Sequence, residues 1–308
     1  MDVVIHQLVI VALVTAVGIV AAKVKIITPK IRAGLSRLVL ELSVPCVIIS
    51  SGYLTIEGDD WIRVGAVAII SFIYHLFLFF MMKFFGRHLI KGEDEGKISV
   101  LIVTFGNIMF VGFPIVLGIY GNDGIFLGAI FAVGYNALMY SIGINYVSKK
   151  KAERRSLKTI LLKPFYIAIV IMFVLLLTQY KVPAPVQETL TMIGNLCTPL
   201  SLLVIGAMVQ ESDILSLIKD YRLFIVTALR LLVAPLLMIL AMYFVPLDVG
   251  LKRTVVALAA MPGGAMPAMV AEQEQCAPRF ATLSVVQSTV LFLLIFPFVI
   301  YLSHKILV

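Results

Sequence analysis

Ten apolar segments, each about as long as a bilayer is thick, constrain this chain more than any other feature. They centre near Val14, Pro45, Ile73, Met109, Leu138, Met172, Pro199, Val233, Pro267 and Leu293. Lipid offers no partner for a backbone N–H or C=O, so segments of this length must be helices. The predicted fold is an all-α polytopic membrane protein with ten transmembrane helices. Composition leaves little room for anything else, with 61% hydrophobic residues, 14% charged residues and a mean hydropathy of +1.06. The first segment follows MDVVIHQ, which lacks a positive n-region, so it is expected to remain as a span and not to be cleaved as a signal.

Charge placement orients the segments. The first connection holds Lys23, Lys25, Lys30 and Arg32, and the third holds Arg87, Lys91 and Lys97. The fifth runs through Lys149, Lys150, Lys151, Arg154, Arg155, Lys158 and Lys163. Connections two and four carry Glu57, Asp59, Asp60 and Asp123 instead. Odd-numbered connections therefore face the cytoplasm and both termini lie outside it. Lys252 and Arg253, in the eighth connection, are the exception. The net charge of +8 sits beside membrane ends, which predicts contact with anionic lipid and no nucleic-acid partner. Cys46, Cys197 and Cys276 show no metal or disulfide spacing and are expected to pack as small apolar side chains.

The basic segment 148–163 divides the chain into 1–147, holding spans one to five, and 164–308, holding spans six to ten. LSVPC around Pro45 returns as LCTPL around Pro199, and NIMFVGFP ending at Pro114 returns as MPGGAMP ending at Pro267. Both pairs are separated by about 154 residues. An odd number of spans per unit makes the second copy enter from the opposite side, so the repeat is inverted. Proline- and glycine-interrupted spans at matching places in inverted halves point to a transporter's binding site. Breaks marked by Gly112, Pro114, Pro262 and Pro267 would place half-helix ends near the midplane of spans four and nine. Free N–H groups at such ends favour an anion, while free carbonyls favour a cation. Asn107 adds a donor and an acceptor beside Gly106, and Gly263 and Gly264 let the two backbones approach.

The stretches KIITPKIRAGLSRLVLELSVP, TFGNIMFVGFPIVLGIYG, YNALMYSIG and AAMPGGAMPAMVAEQ, followed by LSVVQSTV, together resemble the auxin efflux carrier family and its bacterial members. The resemblance covers nearly the whole chain. It implies two inverted five-helix repeats with crossed, broken helices four and nine, a fold shared with the bile acid–sodium symporter superfamily. Spans one, two, six and seven would form a scaffold and a dimer interface. Spans three to five and eight to ten would form a transport domain moving by an elevator mechanism. The implied cargo is a small organic anion, a carboxylate such as malate, malonate or an auxin-like acid. The implied location is the bacterial inner (plasma) membrane.

The candidate substrate-binding residues are Asn107, Asn136, Gly106, Gly263, Gly264, Gln287 and Ser288. Asn107 aligns with the family's crossover asparagine. Asn136 admits two readings, a binding amide or an interhelical hydrogen bond, and so do Gln287 and Ser288. Glu272 and Gln273 stand where plant auxin carriers have Lys-Glu. Glu272 is either a group coupling transport to H+ or Na+ or a solvated residue at the cytoplasmic mouth. Glu41 follows Arg37 by four positions and is expected to pair with it. Arg230 lies about two turns inside the eighth span and is expected to snorkel or to find an acidic partner. His75 reads as a packing histidine. No nucleophile–base or metal constellation occurs, so the chain is not read as an enzyme and needs no cofactor. Two other functions use this kind of architecture: a monovalent-cation/proton antiporter and a transporter-like sensor that binds without flux. Antiporters usually place acidic residues at the crossing, where this chain has Asn, Gly and Pro.

Overall fold

A computed structural model describes residues 2–53, 60–148, 162, 164–212 and 214–307. Most of the expected basic loop (149–161 and 163) and the acidic residues Glu57 and Asp59 lie outside the described residues. Among the described residues the regular elements are helices, joined at one point by an isolated antiparallel bridge. We number the helices α1 (Asp2–Lys23), α2 (Pro29–Leu38), α3 (Val44–Ser51), α4 (Asp60–Met81), α5 (Arg87–Leu89), α6 (Glu93–Thr104), α7 (Phe113–Leu138), α8 (Ile144–Val147) and α9 (Pro164–Thr178). They continue as α10 (Ala184–Gly194), α11 (Cys197–Glu211), α12 (Ile214–Lys219), α13 (Tyr221–Ala228), α14 (Ala234–Phe244), α15 (Val249–Ala259), α16 (Ala265–Gln273) and α17 (Pro278–Ile306).

Seven continuous helical stretches among the described residues are long and apolar enough to cross a membrane: Ile5–Lys23, Pro29–Ser51, Trp61–Gly86, Ile108–Val147, Ala184–Glu211, Tyr221–Phe244 and Pro278–Ile306. The difference from ten has local causes. Ile108–Val147 holds the second part of the expected fourth segment and all of the fifth, divided at Gly121. There φ is 64° and ψ is −149°, a conformation that only glycine adopts without strain. The expected ninth segment is shared between α15 and α16, 11 and 9 residues long, and α9 has 15.

Five wide π-helical turns occur among the described residues, and three of them, Val39–Ser43, Ile108–Gly112 and Leu229–Val233, end two residues before a proline: Pro45, Pro114 and Pro235. Proline lacks an N–H and its ring crowds the carbonyl four residues back. One extra residue in the preceding turn relieves that crowding and bends the helix.

Helix α1 packs along α11 where Gly18 meets Gly206. A Cβ on Gly206 would overlap the Thr15 carbonyl oxygen, and one on Gly18 would lie 2.6 Å from the Leu203 carbonyl oxygen. Helix α3 packs on α9 and α10, α4 packs on α7, and α17 touches α13, α15 and α16. The outward faces are apolar, with Leu13, Phe77, Leu177 and Leu294 all exposed. In water such faces would aggregate; in lipid they are the expected surface of an integral membrane protein.

At one end of α13, Arg222 bonds Asp220 at 2.8 Å, Glu95 at 3.3 Å and the Lys91 carbonyl oxygen at 3.1 Å. The hydrogen-bonded guanidinium holds the Asp220 carboxyl below its ordinary range. Arg253, an exception to the charge pattern, donates to the carbonyl oxygens of His304 (3.3 Å) and Leu307 (3.0 Å) and so closes the C-terminal end of α17.

Candidate functional site

Two interruptions meet inside the molecule. Helix α6 ends at Thr104, and Phe105 turns into extended backbone at φ −108°, ψ 95°. Helix α15 ends at Ala259, and extended conformation returns by Gly264, at φ −73°, ψ 142°. Gly106 and Gly263 then pair as an antiparallel bridge. The Asn107 N–H donates to the Pro262 carbonyl at 2.7 Å, and the Gly264 N–H donates to the Phe105 carbonyl at 3.0 Å. Each broken backbone thus supplies the partners that the other has lost. Glycine is needed for this approach: a Cβ on Gly264 would lie 2.6 Å from the Phe105 oxygen, and one on Gly263 would lie 2.8 Å from Ile102 Cγ2.

Asn107 is buried at 4% exposure and starts the outgoing helix. Its Oδ1 accepts from the Phe110 N–H at 3.3 Å as an N-cap, and its Nδ2 makes no hydrogen bond among the described residues. Helix α16 starts beside it with Ala265 and Met266, whose first-turn amides have no carbonyl in their own helix. Pro267, in the same turn, has no N–H to leave unpaired.

Two polar side chains from neighbouring helices, Ser288 and Arg230, hold the crossing from behind, and Gln287 ties the helices beside it. Ser288 accepts from the Gly263 N–H at 3.0 Å and donates to the Val285 carbonyl at 3.0 Å. Gln287 accepts from Thr227 Oγ1 at 2.8 Å and donates to the Leu217 carbonyl at 2.6 Å, tying α17 to α12 and α13. Arg230 neither snorkels nor pairs with a carboxylate among the described residues. It is buried, and its guanidinium donates to the carbonyl oxygens of Met261 (2.7 Å), Ala259 (2.8 Å) and Val103 (2.9 Å). The signal that could have found this was present in the sequence: an intramembrane cation and two helix ends offering free carbonyls. A Cβ on Gly106 would overlap the guanidinium, which fixes the need for glycine there.

Two cavities reach the crossing. One, of about 390 Å³, is walled by Gly106, Asn107, Met109, Tyr135, Asn136, Tyr166, Met266 and Gln273 among others, with Glu41 also on its wall. The other, of about 400 Å³, is walled by Arg32, Ser36, Glu211, Glu272, Arg279 and Thr282 among others. Asn107, Phe110, Ala265 and Met269 line both. Gly263, Gly264, Gln287 and Ser288 line neither. Asn136 donates to the Ala132 carbonyl of its own helix at 2.8 Å, so its side chain makes no interhelical bond among the described residues. Glu272 and Gln273 are exposed. Glu41 bonds Arg37 at 2.8 Å, the expected pair, and Arg32 bonds Glu211 at 3.0 Å across α2 and α11. His75 Nδ1 lies 2.7 Å from the Ser71 carbonyl oxygen while its ring stacks on Phe105, and burial closes it off as packing.

The sequence matches the Membrane transport protein family over residues 3–158 and 150–300, and the chain belongs to that family, whose members include the auxin efflux carriers it resembles. These proteins are membrane transporters and not enzymes. An uncharacterized transporter of Methanothermobacter thermautotrophicus is 23% identical over 271 residues, covering 85% of this chain and 86% of that protein. An uncharacterized transporter of Methanocaldococcus jannaschii is 22% identical over 182 residues, covering 56% of this chain and 58% of that protein. The chain therefore spans little more than half the length of the second relative.

Proposed function

We propose that this transporter carries small organic anions, carboxylates such as malate, malonate or auxin-like acids, by alternating access. The observation that carries the reading is the Asn107 amide, together with the starts of two outgoing half-helices at Met109 and at Ala265–Met266, all on the wall of one cavity. Helix N-termini hold anions through free N–H groups and a positive partial charge. The crossing residues themselves include no acid, which disfavours a cation antiporter.

The motion we propose is that of an elevator. Spans one, two, six and seven form the scaffold, and the remaining six move with the crossing, as two inverted five-span repeats. The packing partners support this division: α1 with α11 and α3 with α9 and α10 on one side, α4 with α7 and α13 to α17 on the other. Both cavities take walls from each group, Glu41, Tyr166 and Arg32 from the first and Asn107, Asn136 and Met269 from the second. Arg32, Glu211, Arg279 and Pro164 stand at the odd-numbered connections, so in this orientation the site faces the cytoplasm and both termini lie outside it. Glu272 is exposed on the second cavity, which supports a role in meeting a coupling proton or cation from that side. The scaffold faces of two copies would pair as a homodimer in the bacterial plasma membrane.

Counterflow in proteoliposomes tests the assignment with malate, malonate, succinate and indole-3-acetate. We expect saturable exchange of at least one acid, lost in Asn107→Ala. That variant forfeits an N-cap worth about 1 kcal/mol, too little to unfold the protein. Normal exchange in folded Asn107→Ala would remove Asn107 from the site. Binding of an acid without flux would instead mark a sensor.

A further inference from the structure

We propose that Arg230 is the fixed counter-charge of the anion site, so that the site holds a carboxylate without a co-bound metal cation. The inference rests on the anion reading above. Arg230 is 1% exposed, and the carbonyls it binds include Val103 and Ala259, at the ends of the two incoming half-helices. Four helix ends converge at the crossing. Each N-terminal end carries about +0.5 and each C-terminal end about −0.5 of a charge, so the four sum to roughly zero. A carboxylate at the N-terminal ends would feel the opposing C-terminal ends close by.

The guanidinium changes that sum. It neutralises the two C-terminal ends and leaves the two N-terminal ends as a net charge of about +1, which one carboxylate balances. Arg230 touches no carboxylate among the described residues, although a buried charge without compensation is costly. Its route to the cavity is short. It lies against Gly106, and Gly106 forms part of the cavity wall. Three of the carbonyls that could have held a metal cation, those of Val103, Ala259 and Met261, are already taken by this side chain. Glu272 remains available for proton coupling, since it lies on the other cavity.

The test is counterflow of whichever of the four acids wild type exchanges, with thermal unfolding in detergent as the check on folding. Wild type is expected to exchange equally fast in sodium and in choline medium. Arg230→Ala should lose exchange by about tenfold or more and regain part of it with millimolar guanidinium, but not with urea, its neutral isostere. Arg230→Lys and Arg230→Gln decide the same point if the alanine variant fails to fold: lysine should keep exchange and glutamine should lose it. Rescue by urea equal to that by guanidinium, equal activity of the lysine and glutamine variants, or a sodium requirement that persists in Glu272→Gln would each overturn the proposal. Wild type that exchanges none of the acids would overturn the anion reading itself, and this inference with it.

Discussion

The two breaks that meet at the crossing solve one problem in different ways. The first, at Phe105–Asn107, carries its own polar side chain: Asn107 caps the outgoing helix and lines both cavities. The second, at Met261–Gly264, carries none. Its Gly263 N–H goes to Ser288 and its Met261 carbonyl to Arg230, side chains belonging to other helices. The breaks also bond each other, Asn107 N–H to the Pro262 carbonyl and Gly264 N–H to the Phe105 carbonyl, as a lipid setting favours. The difference teaches where a solute can be read. The first break presents an amide to the cavity, whereas the second is sealed behind and offers only the start of α16. Two breaks at matching places thus differ in what they offer: on the reading proposed above, one recognises and the other supports.

Substitutions at the two breaks should act differently on stability and on exchange. Gly264→Ala should be the most damaging, because its Cβ would stand 2.6 Å from the Phe105 oxygen and 3.1 Å from the Gly106 oxygen, both backbone atoms that cannot step aside. Strain of about 1–3 kcal/mol, with loss of the bridge, should lower the melting temperature and abolish exchange. A melting temperature equal to wild type would show that the two backbones do not approach as described. Asn107→Ser keeps a capping oxygen but removes the amide N–H, so exchange should fall severalfold with little change in melting. If melting fell and exchange did not, the recognising role would pass to the other break.

Ser288→Ala should show the opposite balance. It strands the Gly263 N–H at a cost of about 1–3 kcal/mol, seen as a lower melting temperature, while the affinity for the exchanged acid stays near wild type. A large rise in the half-saturating concentration would place Ser288 in contact with the solute after all. Arg37→Ala should do least. Its pair with Glu41 is exposed, with 77% and 52% of the side chains open, and melting should not move.

The helical class, the membrane setting and the places of both interruptions were legible from apolar run length and from Pro and Gly, which act through local backbone geometry. The form of the interruptions was not. Pro114 signalled a break, but the extended residues before the wide turn depend on a partner 157 positions away, Gly263 against Gly106. Asn136, Gln287 and Ser288 each read as either binding or glue, because an amide or hydroxyl in an apolar run says only that some partner exists. Their contacts differ: Gln287 and Ser288 bond neighbouring helices or the second break, while Asn136 bonds within its own helix and lines a cavity.

Run length and residue chemistry alone placed this chain in lipid and marked Pro114, Pro262, Pro267 and a few glycines as interruptions of otherwise regular helices, since those properties follow from each residue by itself. Only the tertiary structure decided that the two breaks pair with each other and that the cation caring for their carbonyl ends is Arg230. Hydrogen bonds across 127 residues, from Arg230 to Val103, have no signature in local spacing. They exist because a buried donor and a buried acceptor, each costly alone, cost least together.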